Sequence, residues 1–215
     1  ILLQCALESK IKKFVQISTD EIYGHILEGS FTENSLLQPR NPYSASKAAG
    51  DRLAYSYSET YGMDVSIVRP SNNFGPFQYP EKLLPLFVTN LIRGKKVPVY
   101  GDGMQVRDWL FVEDNCAAIE LIRERGKRGE VYNVAGENEH PNMETIRFIL
   151  REMGKGDEMI EYVTDRVGHD KRYSMTAPKI KALGFAPAQT WESRMRETIA
   201  WYVKNEGWWK PLVKN

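Results

Sequence analysis

The stretch "KFVQISTDEIYG", residues 13–24, runs from a short apolar segment directly into a pair of acids. Residues 13–19 are typical of a strand that leaves a protein core. Asp20 and Glu21 follow at once, and charges at the end of a buried strand cost free energy unless they are solvated, paired or used. The pair therefore either caps a helix or lies in a solvated turn, or it takes part in chemistry.

On both sides of this stretch, apolar strand-like runs alternate with amphipathic helix-like segments. Such alternation predicts an α/β fold, with a parallel sheet covered by helices on both faces in the doubly wound arrangement. The predicted strands are 13–19, 64–69, 97–100, 130–134 and 159–163. The predicted helices are 1–9, 43–61, 80–93, 113–125, 142–153, 176–183 and 191–204.

The composition excludes several classes of protein. A formal net charge of +1 over 215 residues argues against nucleic acid or a membrane surface as the main partner. No apolar run approaches the roughly 18 residues that span a bilayer. Cys5 and Cys116 are far apart, which predicts two buried thiols in a reducing, cytoplasmic compartment. His25, His140 and His169 form no ligand cluster, so no metal site is expected.

The first residues, "ILLQCALESK", have helical character from Ile1 but no initiator Met. We therefore expect a piece of a longer protein. A dinucleotide-binding sheet opens with a strand and a G-x-G-x-x-G-like turn, and the sequence contains no such turn. Either the protein binds no dinucleotide, or the portion that does so precedes Ile1. In the second case this piece alone should bind a dinucleotide poorly.

Tyr43 and Lys47 stand four residues apart in "NPYSASKAAGD", at the start of a predicted helix, and so share one face. A tyrosine hydroxyl has an ordinary pKa of about 10. A neighbouring ammonium group and a cationic cofactor ring would lower that pKa and make the phenolate a usable base. Taken alone the spacing is weak, because an exposed Tyr–Lys pair on a helix is common.

Further motifs follow in order: "RPSNNFGPFQYPEKLLPL", "PVYGDGMQVRDWLFVEDN", "YNVAGENE" and "DRVGHDKRY". Together with "STDEIYG" and "NPYSASK", they resemble the extended short-chain dehydrogenase/reductase superfamily and, within it, the nucleotide-sugar 4,6-dehydratases. The resemblance covers essentially all 215 residues. Tyr-x-x-x-Lys marks only the superfamily, whereas the triplet from Thr19 to Glu21 is much more specific, because epimerase and decarboxylase relatives usually carry a different residue where Asp20 stands.

The resemblance implies an NAD-dependent lyase that dehydrates a nucleotide-linked glucose, with dTDP-glucose favoured and uridine or cytidine nucleotides left open. Tyr43 would be the base during oxidation at C4, with Lys47 beside it and Thr19 on the C4 oxygen. Glu21 would then remove the C5 proton while a protonated Asp20 assists departure of the C6 hydroxyl. The product would be a 4-keto-6-deoxy sugar.

The resemblance also implies the residues that bind cofactor and substrate. The implied cofactor-binding residues are Ser18, Tyr43, Lys47, Asn72 and Phe74. The implied substrate-binding residues are Thr19, Asn73, Glu81, Lys82, Leu83, Val99, Tyr100, Arg107, Asn142, Asp165, Arg166 and His169. The chain departs from the family pattern at Val167, where proline is usual, and at His140-Pro141, where lysines are usual.

The implied organisation is the C-terminal part of a Rossmann-like doubly wound sheet plus a smaller α/β substrate-binding lobe. Residues 1–75 would be the remainder of the NAD-binding Rossmann domain. Residues 76–215 would be mainly the nucleotide-sugar-binding lobe, with some segments returning to the sheet. The apolar faces of helices 1–9 and 43–61 make a homodimer through a four-helix bundle plausible.

Three other functions stay open. Two are enzymes of the same superfamily, a nucleotide-sugar 4-epimerase and a nucleotide-glucuronate decarboxylase. Neither has to protonate a C6 hydroxyl, so Asp20 discriminates against both. The third is a non-catalytic protein that binds NAD or a nucleotide sugar. The intact set of Thr19, Asp20, Glu21, Tyr43 and Lys47 argues against it.

Overall fold

Strands and helices alternate along most of the chain in the computed structural model, which describes residues 1–213. The strands are β1 (Phe14–Ile17), β2 (Val65–Pro70), β3 (Asn72–Phe74), β4 (Val97–Tyr100), β5 (Val106–Phe111), β6 (Val131–Val134), β7 (Glu139–Pro141) and β8 (Ile160–Val163). The helices are α1 (Leu2–Glu8), α2 (Pro42–Tyr61), α3 (Leu83–Ile92), α4 (Val112–Arg125), α5 (Asn142–Glu152), α6 (Pro178–Ala182), α7 (Trp191–Lys204) and α8 (Glu206–Trp209). Short 3-10 helices span Asp20–Tyr23, Asp157–Met159 and Lys210–Leu212.

The first sheet has the order β1-β2-β6, and all of its strands are parallel. Successive residues of β2 point to opposite faces. Val65 and Ile67 pack with Ala54 of α2, whereas Val68 packs with Ile122 of α4. Helices therefore cover both faces of a parallel sheet, which confirms the predicted doubly wound α/β arrangement.

The second half of the chain builds two smaller sheets around its own core. β3 pairs with β5 in parallel, β5 pairs with β7 in antiparallel fashion, and β4 pairs with β8 in parallel. Phe74, Trp109 and Ile149 belong to an apolar cluster that α3, α5 and α7 also line. Because β6 pairs with β2, one segment from beyond residue 75 lies in the first sheet. The division into two domains near residue 75 stays a prediction.

Most predicted elements occur within a residue or two of their expected ends, but the sequence missed β3, β5 and β7. α3 begins at Leu83 rather than at residue 80. Pro85 lies in the first turn of α3, where the lack of a proline N–H is tolerated, whereas deeper in a helix a proline removes a hydrogen bond and clashes with the preceding turn.

The prediction of two buried thiols is wrong, because Cys5 and Cys116 are both free and exposed. Each lies two residues from a buried helical position, Leu3 in α1 and Ala118 in α4. A separation of two residues places side chains on nearly opposite sides of a helix, so both thiols face solvent. Of the helices within residues 1–213, none is long and apolar enough to cross a bilayer.

Candidate active site

The acid pair lies at the carboxyl end of β1, where the chain turns into the 3-10 helix Asp20–Tyr23. Thr19 caps this helix, since its hydroxyl accepts a hydrogen bond from the Glu21 N–H at 3.3 Å. The same hydroxyl donates to Asp20 Oδ1 at 3.2 Å. Asp20 is only 4% exposed, and Glu21 is half-buried. The pair does begin a short helix, but the alternative of a solvated turn is wrong.

The surroundings of Asp20 favour its neutral form. Burial, followed by the neighbouring carboxyl groups of Glu21 and Asp108, raises the pKa of Asp20 to about 8. Burial also raises the pKa of Glu21, against the guanidinium of Arg107 and a hydrogen bond from Asn41, which lower it. At neutral pH Asp20 is therefore protonated. Its neighbour Glu21 is less buried, and the Arg107 guanidinium favours its charged form.

Tyr43 and Lys47 lie on the first turns of α2. Asn41 caps this helix by accepting a hydrogen bond from the Ser44 N–H at 2.9 Å, and Ser44 Oγ accepts one in return from the Asn41 N–H. The Lys47 ammonium donates to the Ile17 carbonyl oxygen at 2.7 Å, which ties the helix to the end of β1.

The expected lowering of the Tyr43 pKa is not found among the described residues. Burial, and then the carboxyl groups of Glu21 and Asp20, raise the pKa of Tyr43 above its ordinary value, and a hydrogen bond with Thr19 opposes them. The Tyr43 ring is nevertheless 55% exposed and lines the same opening as Glu21. Tyr43 and Glu21 thus face one space, whereas Asp20 lies buried next to Glu21 and is not part of the lining.

That space is a cleft of about 680 Å³. Its size and mixed polar and apolar lining suit a ligand as large as a nucleotide. Ten of the twelve residues predicted to bind substrate line it: Asn73, Glu81, Lys82, Leu83, Val99, Tyr100, Arg107, Asn142, Arg166 and His169. Asn72 lines it too.

The remaining predicted residues are not part of this lining: Ser18, Thr19, Asp20, Lys47, Phe74 and Asp165. Thr19 contacts Asp20 and the Glu21 backbone, as above. Asp165 holds His169 through a 2.7 Å contact with Nδ1 and accepts a hydrogen bond from Gln105 at 3.2 Å. The Phe74 ring packs edge-on against Trp109 in the core, so only its backbone is free to approach a ligand.

Arg107 is the buried cation of the cleft. Its guanidinium donates to the carbonyl oxygens of Val106 at 2.8 Å and Asp170 at 2.9 Å. It also lies over the Tyr173 ring, 4.4 Å from the centroid. Tyr173 donates in turn to Asp170 Oδ2 at 2.7 Å. A cation held this firmly on one side presents a fixed positive charge to the cleft.

At the far end of the cleft, aromatic and basic groups meet. The Arg166 guanidinium lies 5.1 Å from the centroid of the Tyr100 ring and contacts His169 Nε2 at 2.9 Å. Asn142 is buried, and its Oδ1 has no hydrogen-bond partner within the described part of the chain. Tyr100 and Asn142 both line the cleft, and an aromatic face and an unpartnered amide oxygen suit a heterocyclic base.

The sequence missed several residues of the cleft. Asp170 and Tyr173 stand immediately after the recognised segment 165–169, and Asn41 stands two residues before Tyr43, so proximity to known motifs was the available signal. The other missed lining residues are Gln78, Leu86, Phe87, Pro98, Gly103, Trp109 and Ile146, whereas Val167 and Gly168 belong to the recognised segment and also line the cleft. His140 lies outside the cleft and stacks on Trp191 at 4.0 Å.

The described residues differ in what they offer to a metal ion and to a dinucleotide. No three His, Cys, Asp or Glu side chains there are grouped so that they could hold a metal ion. The residues that could hold a dinucleotide lie around the end of β1. Ser18 Oγ and Asn72 Oδ1 are buried there without a hydrogen-bond partner among the residues described.

Fold and site together define a Rossmann-like α/β protein with a Thr-Asp-Glu triplet at the carboxyl end of β1. Residues 1–198 match the family model described as GDP-mannose 4,6 dehydratase, and the chain belongs to that family.

Individual named proteins are also similar to this chain. The chain is 48% identical over 213 residues to a dTDP-glucose 4,6-dehydratase of Streptomyces niveus. The match covers 99% of this chain but 63% of that protein's length. It superposes with a TM-score of 0.97 on DesIV, a dTDP-glucose 4,6-dehydratase of Streptomyces venezuelae solved with NAD bound. That pair shares 46% identity over 99% of this chain and 66% of the other. A UDP-glucose 4-epimerase of Thermotoga maritima is more distant, at a TM-score of 0.90 and 26% identity over 95% of this chain and 68% of the other.

Proposed function

We propose that the protein carrying this chain is a nucleotide-sugar 4,6-dehydratase that converts dTDP-glucose to its 4-keto-6-deoxy derivative. The observation that carries the proposal is the neutral, buried Asp20 beside Glu21, at a cleft that Tyr43 also faces. Elimination of water needs an acid and a base at adjacent carbons, and a carboxyl pair with separated pKa values supplies both.

Each member of the pair has one task. Asp20 gives its proton to the departing C6 hydroxyl, because its raised pKa keeps it protonated at neutral pH. Glu21 takes the C5 proton, since it lines the cleft and Arg107 stabilises its charged form. The hydroxyl leaves as water, and the C5–C6 double bond forms from the C5–H electron pair.

The residues around β1 fit NAD. Ser18 Oγ and Asn72 Oδ1 offer buried polar atoms without partners in residues 1–213, and the raised pKa of Tyr43 calls for added positive charge near its hydroxyl. When bound, NAD supplies the oxidant for C4 and, in reduced form, the reductant for C6. Lys47 would bond the nicotinamide ribose, and Tyr43 would take the C4 hydroxyl proton while Thr19 orients the C4 oxygen.

The rest of the cleft suits the nucleotide diphosphate. Arg107 would bind the diphosphate oxygens, because guanidinium groups bind phosphates in a bidentate way. Asn73, Glu81 and Lys82 lie on the same lining and would bind beside the diphosphate. Tyr100 and Asn142 would contact the base. The printed names of the dTDP-glucose dehydratase relatives favour deoxythymidine over uridine or cytidine.

The alternatives differ in what they require of Asp20. A 4-epimerase or a glucuronate decarboxylase transfers no proton to a C6 hydroxyl, and so has no use for a carboxyl group whose pKa is raised to about 8. A non-catalytic nucleotide-sugar-binding protein would gain nothing from burying that group beside Glu21, because the burial costs free energy.

We also infer a cytoplasmic homodimer. The exposed apolar side chains of α1 and α2 include Leu2 at 77% and Leu53 at 54% exposure. The two helices are tied together by a hydrogen bond from the Tyr57 hydroxyl to Gln4 Oε1 at 3.1 Å. A second copy of the same pair would cover these side chains in a four-helix bundle. Two free, exposed thiols favour a reducing compartment.

Mass spectrometry tests the dehydratase proposal. The full-length protein is incubated with NAD and dTDP-glucose, and the nucleotide sugar is weighed. We expect a product lighter by one water and no net reduction of NAD. An unchanged mass with UDP-, CDP- and dTDP-glucose alike would reject dehydration and turn attention to epimerisation.

A further inference from the structure

Beneath the acid pair lies a buried polar network that the proposed chemistry does not use. Arg69 of β2 is 2% exposed and donates to both carboxylate oxygens of Asp51 on α2, at 2.9 and 3.0 Å. Its Nη1 donates to the Tyr23 hydroxyl at 2.7 Å. Tyr23 donates to Asn133 Oδ1 on β6, also at 2.7 Å.

Every charge in this network stays ionised. Burial acts to raise the pKa of Asp51, but the guanidinium of Arg69, and then that of Arg52, bring it below its ordinary value. Burial acts to lower the pKa of Arg69, and the hydrogen bonds and charge of Asp51 reverse the direction. Replacing a buried ion pair with apolar groups is often neutral or stabilising, so the energy of the pair alone gives weak reason for it.

Two members of the network, Tyr23 and Asp51, sit on the two elements that carry the reactive groups. Tyr23 is the last residue of the 3-10 helix that begins with Asp20 and Glu21. Asp51 follows Lys47 by four residues and Tyr43 by eight, which places all three on one side of α2. Arg69 lies between them on the central strand of the first sheet.

Both ends of the network are held rigidly. The Tyr23 ring is fully buried and stacks on Phe31 with centroids 5.1 Å apart, and the Arg69 guanidinium lies 4.9 Å from its centroid. A bidentate guanidinium–carboxylate pair fixes angle as well as distance. A rotation of α2 about its axis would break the Arg69–Asp51 pair, and a shift of the 3-10 helix would break the Arg69–Tyr23 bond.

We propose that Tyr23, Arg69 and Asp51 are positioning residues that fix the acid pair relative to Tyr43 and Lys47. Oxidation at C4 and elimination across C5 and C6 take place on one bound sugar, so the groups serving the two steps must stay in register. The inference rests on the proposed function, because it assigns the network a role in coupling those steps.

The test is Tyr23→Phe, which keeps the ring and its stacking but removes the hydroxyl. Tyr132→Phe is the matched control. Tyr132 is equally a buried tyrosine, on neighbouring β6, and its hydroxyl accepts a bond from the Lys127 N–H at 2.9 Å, outside the network. Both variants lose one buried hydroxyl, but Tyr23→Phe breaks two hydrogen bonds and should lose the more thermal stability, so kcat is compared well below both melting transitions. Asp51→Asn probes the same network from α2.

We expect Tyr23→Phe and Asp51→Asn to lower kcat by about 10- to 100-fold with KM within about threefold, because small misplacements of reactive groups are that costly. Quenched reactions should contain nucleotide sugar lighter by two hydrogens, oxidised but not dehydrated. Tyr132→Phe should keep its kcat and accumulate none. If the wild type is active and Tyr23→Phe matches Tyr132→Phe both in kcat and in the amount of oxidised sugar, the inference is overturned. A wild type inactive on every nucleotide-glucose instead rejects the proposed function.

Discussion

Asp20 shows how burial of one carboxyl group sets both chemistry and stability. Its pKa of about 8 in the folded chain lies above the ordinary value of 3.8. Between pH 3.8 and about pH 8, the folded state therefore holds a proton that the unfolded state has lost. The stabilisation that this proton gives is complete below the ordinary pKa and is lost as pH rises through about 8.

Replacement of Asp20 with Asn should therefore separate activity from stability. We expect dehydration to fall by about 100-fold or more, as for loss of a general acid, while oxidation at C4 persists and the oxidised sugar accumulates. The melting temperature of the variant should fall less than that of the wild type as pH is raised from about 7 to about 9. Product analysis and thermal melts at several pH values check both expectations.

A control for this experiment is Glu161→Gln, which neutralises an exposed carboxyl group on β8. It should leave the pH dependence of melting as in the wild type. If Asp20→Asn kept full dehydration activity, the acid would have to be another group. If its melting curve followed the wild type at every pH, Asp20 would not carry the buried proton.

At the residue scale, the sequence identified most of the cleft because short polar motifs mark it. It did not reveal the raised pKa of Tyr43, because that depends on burial and then on the carboxyl groups of Glu21 and Asp20, both of which arise only on folding. Nor did it reveal Asp170, whose backbone carbonyl holds Arg107 from across the chain. A sequence motif identifies residue types, whereas the pKa of a side chain depends on distances between segments that folding brings together.

At the scale of elements, the N-cap of α2 connects helix stability to the acid pair. Asn41 accepts the Ser44 N–H, and its side chain also bonds Glu21 and lowers the pKa of that carboxyl group. The Asn41→Ala variant should cost about 1 kcal/mol of stability, as for other lost caps. It should also raise the Glu21 pKa and move the acidic limb of the pH–rate profile to higher pH, because a base works only when deprotonated.

Thr190→Ala is the matched cap variant. Thr190 caps α7 by accepting the Ser193 N–H at 3.3 Å, and it does not line the cleft. We expect a comparable loss in melting temperature with an unmoved pH–rate profile. Identical profiles in the two cap variants would mean that Asn41 acts on stability alone.

Elements with clear apolar periodicity could be predicted from sequence, and those that pair through polar residues could not. β5 contains Arg107 and Asp108, both of them buried, so its pattern lacks the alternation of a strand. β7 is three residues with a terminal proline, and β3 begins with two asparagines. Tertiary pairing creates these strands, because each bonds to a neighbour distant in sequence.

At the scale of the whole molecule, α1 and α2 present the surface proposed for dimer formation. Leu53→Glu would place a charge where an apolar contact and its two-fold copy are expected, and we predict a monomer by analytical ultracentrifugation. Leu36→Glu is the control, since Leu36 is 77% exposed in the loop before α2. A Leu53→Glu protein that sediments with the wild type would show that this face does not hold the subunits together.

The exposed positions of Cys5 and Cys116 have a practical consequence for such work. Cys5 lies on α1, on the proposed dimer surface, whereas Cys116 lies on α4, on the opposite face of the first sheet. An alkylating reagent added to the protein would meet two thiols of similar accessibility in a single chain. Slowed alkylation of Cys5 with unchanged alkylation of Cys116 would therefore report subunit association through an internal ratio, without any engineered label.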